Sequence, residues 1–133
     1  MKEIAYISTP RDLVFDDDVL NILRTSRRRN ARLGVTGLLC YDGRRFLQVV
    51  EGEDAVVDAL LDDIRRDGRH TDLRTVSEAP ITERAFAGFT MDYRRIAPRL
   101  AALTDGFAKE LATGPHSPIG PQLRDAFRTL PNA

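Results

Sequence analysis

Apolar and polar positions change period several times along the chain, and the changes mark its elements. Ile4-Ala5-Tyr6-Ile7-Ser8 is a short β-favouring run closed by Thr9-Pro10, which predicts a strand ending in a turn. From Asp16 to Arg29 the residues Val19, Ile22 and Leu23 recur at helical spacing. Asp16, Asp17 and Asp18 open that segment, Arg27, Arg28 and Arg29 close it, and Gly34 follows. Acid at the start and base at the end complement the helix dipole. Two β-like runs, 35–41 and 45–51, flank Asp42-Gly43-Arg44, a turn signal that favours positive backbone angles, so a hairpin is expected. Between Glu53 and Arg66, Val57, Leu60, Leu61 and Ile64 form one helical stripe, with Gly68 as its expected cap.

Two further β-like runs, around Arg74–Val76 and Phe86–Tyr93, flank a turn-like segment containing Pro80. The order is βαββαββ. Two helices with one apolar stripe each cover a single face of the sheet, as in ferredoxin-like α+β folds. The other face needs its own cover. Ile96, Leu100, Leu103, Phe107 and Leu111 predict a helix for that role, and Leu123–Leu130 a last short one after the Gly/Pro-rich stretch 114–121.

Composition narrows the class without changing this picture. The 133 residues are enough for one compact core, and the apolar fraction of 42% is that of a soluble globular chain. Twenty basic residues balance twenty acidic ones, so no net field attracts nucleic acid or an anionic membrane. Cys40 is the only thiol, which excludes an intrachain disulfide and Cys-based zinc spacing and fits a reducing cytoplasm. No segment reads as a membrane span or an export signal.

Several polar residues sit awkwardly for a plain core. Gln48 lies inside Phe46-Leu47-Gln48-Val49-Val50, where an unpaired amide would cost about 1–3 kcal/mol, so it must meet backbone, a polar neighbour or a bound ligand. Tyr6 belongs in a core by its ring, but its hydroxyl wants a partner. Asn30 at a helix end reads by itself as a local cap, and Arg69-His70 as a surface pair after the second helix. His116 lies in the loop-like tail, so no second histidine stands at metal-ligand spacing. No GxSxG, HExxH, Walker A or GxGxxG motif occurs, and Cys40 has no histidine nearby in sequence. An enzyme reading therefore lacks a nucleophile and an acid/base pair.

Taken in order, Tyr6-Ile7-Ser8, Ser26–Asn30, Gly34–Leu39, Phe46–Gly52, Arg66–His70 and Arg84–Met91 resemble the signature blocks of BLUF domains, over roughly residues 3 to 93. The resemblance implies the same ferredoxin-like fold and an FAD isoalloxazine ring held between the two helices. It implies a blue-light photoreceptor and not an enzyme. Tyr6 matches the tyrosine that gives an electron to the excited flavin, and Gln48 the glutamine between that tyrosine and the flavin's N5 and C4 carbonyl edge. Asn30 matches the asparagine on the N3 and O4 side, and Met91 the methionine of the last strand. Arg29 stands where the ring is often contacted, and as a bulky cation it is expected to turn toward the diphosphate or ribityl tail. Arg69 and His70 match residues close to the cofactor.

The chemistry suits these types. A phenol can lose an electron together with its proton, and an amide that both donates and accepts can reverse its hydrogen bonds by rotating or tautomerising. Many members carry a tryptophan two residues before the methionine; this chain has Phe89 there and no tryptophan at all. The expected division is a sensor domain over residues 1–95 and a C-terminal helical extension over 96–133. The expected output is a change in that extension, passed to a separate signalling partner, with homo-oligomerisation as in short BLUF proteins. Two other readings stay open: a flavin-free ferredoxin-like regulatory or dimerisation module, and an acylphosphatase-like enzyme, for which Arg11 lacks a glycine-rich phosphate loop around it.

Overall fold

A computed structural model describes residues 1–12, 14–95 and 118–129. Its elements are β1 (Lys2–Pro10), α1 (Asp16–Leu33), β2 (Thr36–Tyr41), β3 (Phe46–Gly52), α2 (Asp54–Arg66), β4 (His70–Pro80), β5 (Asp92–Arg95) and α3 (Gly120–Thr129). The five strands form one sheet in the order β4-β1-β3-β2-β5, antiparallel except for the parallel pair β2 and β5. This is the α+β, ferredoxin-like arrangement expected from the periodicity.

Strand alternation sorts side chains to two faces. Ile4 and Tyr6 of β1 and Val50 of β3 pack with Val57, Leu60, Leu61 and Ile64 of α2. Leu39, Tyr41 and Phe46 pack with Val19 and Leu23 of α1 and with Met91. On the rear face, Ala5, Ile7, Leu38, Cys40, Leu47 and Val49 meet Phe86, Ile119 just ahead of α3, and Leu123 of α3. The rear cover is thus seen in part as α3; the helix expected over 96–111 lies outside the described residues.

Helix ends follow local chemistry. At the start of α1 the Asp18 carboxylate accepts the Phe15 N–H at 2.9 Å. The helix runs a turn past Arg29 and stops at Gly34, whose φ of 69° is the left-handed conformation that glycine adopts without steric cost. Gly68 does not cap α2 as expected; the cap is Asp67, in extended backbone.

The last strand also differs from expectation. Phe86–Met91 is not β-structure: Phe89 N–H closes a turn on the Phe86 carbonyl at 3.0 Å, and Gly88 has φ of 89°. The Ala85 and Phe86 N–H groups, which a strand would offer to a neighbour, go instead to the Glu51 carboxylate at 3.0 and 2.8 Å. Only Asp92–Arg95 pairs with β2, so Met91 immediately precedes the strand. Conversely β4 is longer than its apolar signal, because an edge strand with one mostly exposed surface carries little hydrophobic alternation.

Gly37 shows how tightly the hairpin is built. A Cβ there would lie 2.1 Å from the Val49 carbonyl oxygen, on the adjacent strand's backbone, which cannot swing aside. Gly37→Ala should destabilise the fold by about 1–3 kcal/mol, the usual range for overpacking, read as a lower midpoint in urea unfolding. An unchanged midpoint would contradict this packing.

Candidate functional site

Between α1 and α2, over the helix-facing side of the sheet, runs a groove with about 500 Å³ of empty space including its mouth. Its floor is Tyr6 of β1, Leu39 of β2, and Phe46 and Gln48 of β3. One wall is α1, through Ile22, Thr25, Ser26 and Arg29, spaced i, i+3, i+4, i+7 on a single stripe. Ile64 stands opposite on α2, with Asp67, Arg69 and His70 just beyond it. A second hollow of about 620 Å³ shares Ile22, Phe46, Arg69 and His70 with the first and continues past Pro10, Asp12 and Val14. The two hollows together run from the Tyr6–Gln48 floor to the 10–14 segment.

At its centre Tyr6 and Gln48 are direct partners across β1 and β3. The buried Tyr6 hydroxyl donates to Gln48 Oε1. That bond uses one end of the amide. Gln48 Nε2 has no hydrogen-bond partner among the described residues, although the side chain is only 9% exposed. A buried N–H₂ facing no protein acceptor is costly, and this one borders the groove, where a ligand acceptor could meet it.

Charge is arranged unevenly around this pair. Burial pushes the Tyr6 phenol well above its ordinary pKa, with the Arg29 cation pulling the other way, so the hydroxyl stays protonated as a donor. Arg69 and Asp67 neutralise one another: Arg69 Nε and Nη2 donate to the Asp67 carboxylate at 3.0 and 2.6 Å. Asp67 is consequently held down to about 2. Arg29 has no such carboxylate among the described residues; its Nε reaches only the neutral Asn30 Oδ1, at 3.4 Å. Burial lowers the Arg29 pKa, and the neighbouring Tyr6 and Asp63 act against that.

Five of the seven residues singled out in sequence (Tyr6, Arg29, Gln48, Arg69 and His70) meet on this groove. Arg29 faces the groove beside Tyr6 and is not turned away from it. Asn30 and Met91 lie behind the wall. The Asn30 side chain is fully buried and its Nδ2 donates to the Thr90 carbonyl at 2.6 Å, while its backbone carbonyl takes the capping N–H of Gly34. Met91 packs into the α1 cluster and its carbonyl accepts Arg27 Nε at 2.9 Å. Phe89, in the position of the usual tryptophan, is 53% exposed. Sequence reading overlooked Ile22, Thr25, Ser26 and Asp67. The α1 stripe turning from apolar Ile22 to polar Thr25, Ser26 and Arg29 was the signal that could have found the first three.

The site is thus a groove between the two helices of a ferredoxin-like sheet, floored by Tyr6, Leu39, Phe46 and Gln48, with a buried amide donor bordering it. Sequence and structure comparisons place it among known proteins. Residues 1–92 match the BLUF family model, "Sensors of blue-light using FAD". Photoactivated adenylate cyclase subunit beta of Euglena longa is 39% identical over 129 residues, and that of Euglena gracilis 36%. Each match covers 96% of this chain and 14% of the cyclase subunit, so the chain spans about one seventh of the length of those relatives. Among solved structures, BlrB, a BLUF protein in its dark state, is 34% identical with a TM-score of 0.71 over 86% of both chains. BlsA in its photo-activated state shares the fold, with a TM-score of 0.75 at 21% identity over 99% of this chain and 97% of that one. The chain belongs to the BLUF family and is a flavin-binding blue-light photoreceptor domain. No described helix is long and apolar enough to cross a membrane.

His70 gives the site a pH dependence. Its Nδ1 lies 3.5 Å from Ser8 Oγ and its ring meets Phe46 edge-on. Burial lowers its pKa below 6.5, with Asp67 opposing and Arg69 adding to the effect. The unfolded chain thus binds a proton more readily than the fold. Stability from this residue is complete above pH 6.5 and is lost as pH falls below it toward the folded value. Melting temperature should drop between pH 7.5 and 5.5, and His70→Gln should flatten part of that drop. Identical pH profiles for the two proteins would remove His70 as the cause.

Proposed function

We propose that Tyr6 and Gln48 are the photoactive pair of an FAD-dependent blue-light receptor, and that the signal leaves through the 84–95 segment and the C-terminal helices to a partner protein. The observation that carries this is the polarity of the pair: phenol O–H into Gln48 Oε1, with Gln48 Nε2 left open in the groove. The donor set fits a flavin, whose N5 and C4 carbonyl edge offers acceptors to a buried N–H₂. Bound there, FAD supplies a light-absorbing electron acceptor.

The chain's own residues do the rest. Tyr6 is the oxidisable group, and its hydroxyl proton has one acceptor, Gln48 Oε1, along a bond already formed in the dark. When the phenol loses an electron its proton becomes strongly acidic and moves to that oxygen. The carboxamide then rotates or tautomerises, and the side facing the groove changes its donor and acceptor pattern. Return of electron and proton to Tyr6 leaves the altered amide as the stored signal until it relaxes. Arg29 contributes a positive charge on the same wall, with no ion pair among the described residues and Asp63 near enough to act on it. Arg69 and His70 line both hollows, so they flank the passage from ring site to outer hollow. That continuity favours FAD over FMN, because the longer dinucleotide fills both. Asn30 and Met91 act from behind the wall, Asn30 by tying α1 to Thr90 and Met91 by filling the space under Leu39.

The photoactivated cyclase relatives put such a sensor in the same polypeptide as an enzyme. Here the described rear helix, α3, is the element available to a partner or to a second copy of the chain, which supports division near residue 95 into sensor and output extension and assembly as a homo-oligomer. The buried, unpaired Cys40 suits a reducing cytoplasm.

The test is optical. Purified protein should be yellow and its visible flavin band should shift slightly and reversibly to the red under blue light. Gln48→Leu should keep flavin and lose the shift, and Tyr6→Phe should do the same by removing the oxidisable hydroxyl. A colourless protein that refuses added FAD would establish the flavin-free module instead, and a normal shift in Gln48→Leu would remove Gln48 from the mechanism. Analysis of the extracted cofactor separates FAD from FMN.

A further inference from the structure

The rear face of the sheet carries two buried carboxylates where an apolar face would suffice. Glu3 of β1 and Glu51 of β3 are direct cross-strand partners, each 1% exposed. Neither is idle. Glu3 accepts the backbone N–H groups of Ile119 and Gly120, at 2.9 and 2.6 Å, at the start of α3. Glu51 accepts those of Ala85 and Phe86, and its Oε1 also takes the Thr36 hydroxyl at 2.9 Å. Arg84 buttresses this corner through the Thr36 hydroxyl and the Glu51 and Gly34 carbonyls. Two segments distant in sequence are therefore fastened side by side by one carboxylate pair.

The segments also touch. A Cβ on Gly120 would lie 3.2 Å from Ala85 Cβ and 3.5 Å from Phe86 Cε2, and 2.5 Å from Glu3 Oε1. Arg124 of α3 donates to the Ala85 carbonyl at 3.3 Å, and Phe86 shares a cluster with Ile119 and Leu123. The far end of the loop holds the Thr90 carbonyl that Asn30 binds and the Met91 carbonyl that Arg27 binds.

We propose that Glu3 and Glu51 form a latch that makes docking of the C-terminal helix depend on the seating of the 84–91 loop, so that a disturbance of the loop from the Asn30 side loosens α3. The contacts of the latch stand on the fold alone; its use as an output rests on the photoreceptor reading above. Like charges side by side repel, so each set of N–H donors stabilises the ionised pair, as the Ile119 and Gly120 N–H groups do for Glu3 against burial and the Glu51 charge. Pulling the Ala85–Phe86 donors from Glu51 leaves two adjacent buried carboxylates with fewer donors. The strain falls on Glu3 and its hold on α3. A negative group at that helix start also complements the dipole, which a neutral one does not.

Hydrogen exchange of the α3 amides, with α2 amides as the internal control for global stability, tests this. Glu3→Gln can satisfy one N–H but sets an N–H₂ against the other, and should speed α3 exchange by about tenfold while α2 is unchanged. Glu51→Gln touches no α3 atom, yet should speed α3 exchange too, and the double variant should be less than additive. Gly120→Ala attacks the same contact from the helix side and should act like Glu3→Gln. Unchanged α3 exchange in Glu51→Gln, or strict additivity, would overturn the coupling, and unchanged exchange in both Glu3→Gln and Gly120→Ala would overturn the latch. In wild type whose flavin band is first seen to shift, blue light should speed α3 exchange; none in such protein would remove the latch from the output, whereas a missing band shift counts against the photochemical reading alone.

Discussion

The pairing of β1 with β3 sets the chemistry of both faces at once. In that register Tyr6 stands opposite Gln48 on the helix side, and Glu3 stands opposite Glu51 on the rear. The two pairs are an odd number of residues apart, so alternation must send them to opposite faces. A slip of β1 by one residue would put Glu3 under the helices and Tyr6 under α3. The apolar residues between them, Ile4, Ala5, Val49 and Val50, are fully buried, and they pin the register that both polar pairs require.

Each pair solves its burial differently. Tyr6 and Gln48 satisfy one another at a single bond and leave the amide's donors bordering the groove. Glu3 and Glu51 turn away from one another chemically, each taking backbone donors from a different segment. The first pair is poised to rearrange, since an amide and a phenol can exchange roles. The second has no such freedom while both groups are ionised, since a carboxylate can only accept. Under the proposed reading a change begins at the pair that can invert and is felt at the pair that cannot.

Much of this was legible in the chain. Apolar periods located α1, α2 and the hairpin, because those elements are half-buried and their stripes are strong. Gln48 and Tyr6 stood out as polar groups in apolar runs, and family resemblance turned them into a site. The missed features share one cause: they depend on side chain to backbone contacts between distant segments, which leave no period. Glu51 looked like the end of a strand, yet its carboxylate stops Phe86–Met91 from becoming one. Asn30 looked like a cap, yet its backbone caps and its side chain reaches Thr90. Arg29, expected as a bulky cation to turn toward the diphosphate or ribityl tail, lines the groove as a half-buried cation beside the buried Tyr6 phenol.

The replacement of the usual tryptophan by Phe89 takes on a different meaning in this geometry. The residue lies on a turn and not in a strand, is mostly exposed, and is fixed by its backbone: its carbonyl accepts the Gly37 N–H at 3.1 Å. An indole N–H at that position would have no buried acceptor to lose, so the exchange to phenylalanine costs the dark structure little. Met91, by contrast, is packed among α1 and β2 residues next to the Thr90 carbonyl held by Asn30. The tie from α1 to the loop therefore runs through backbone carbonyls at Thr90 and Met91, which any sequence supplies, and its specificity lies in Asn30 and Arg27, the side chains that reach them.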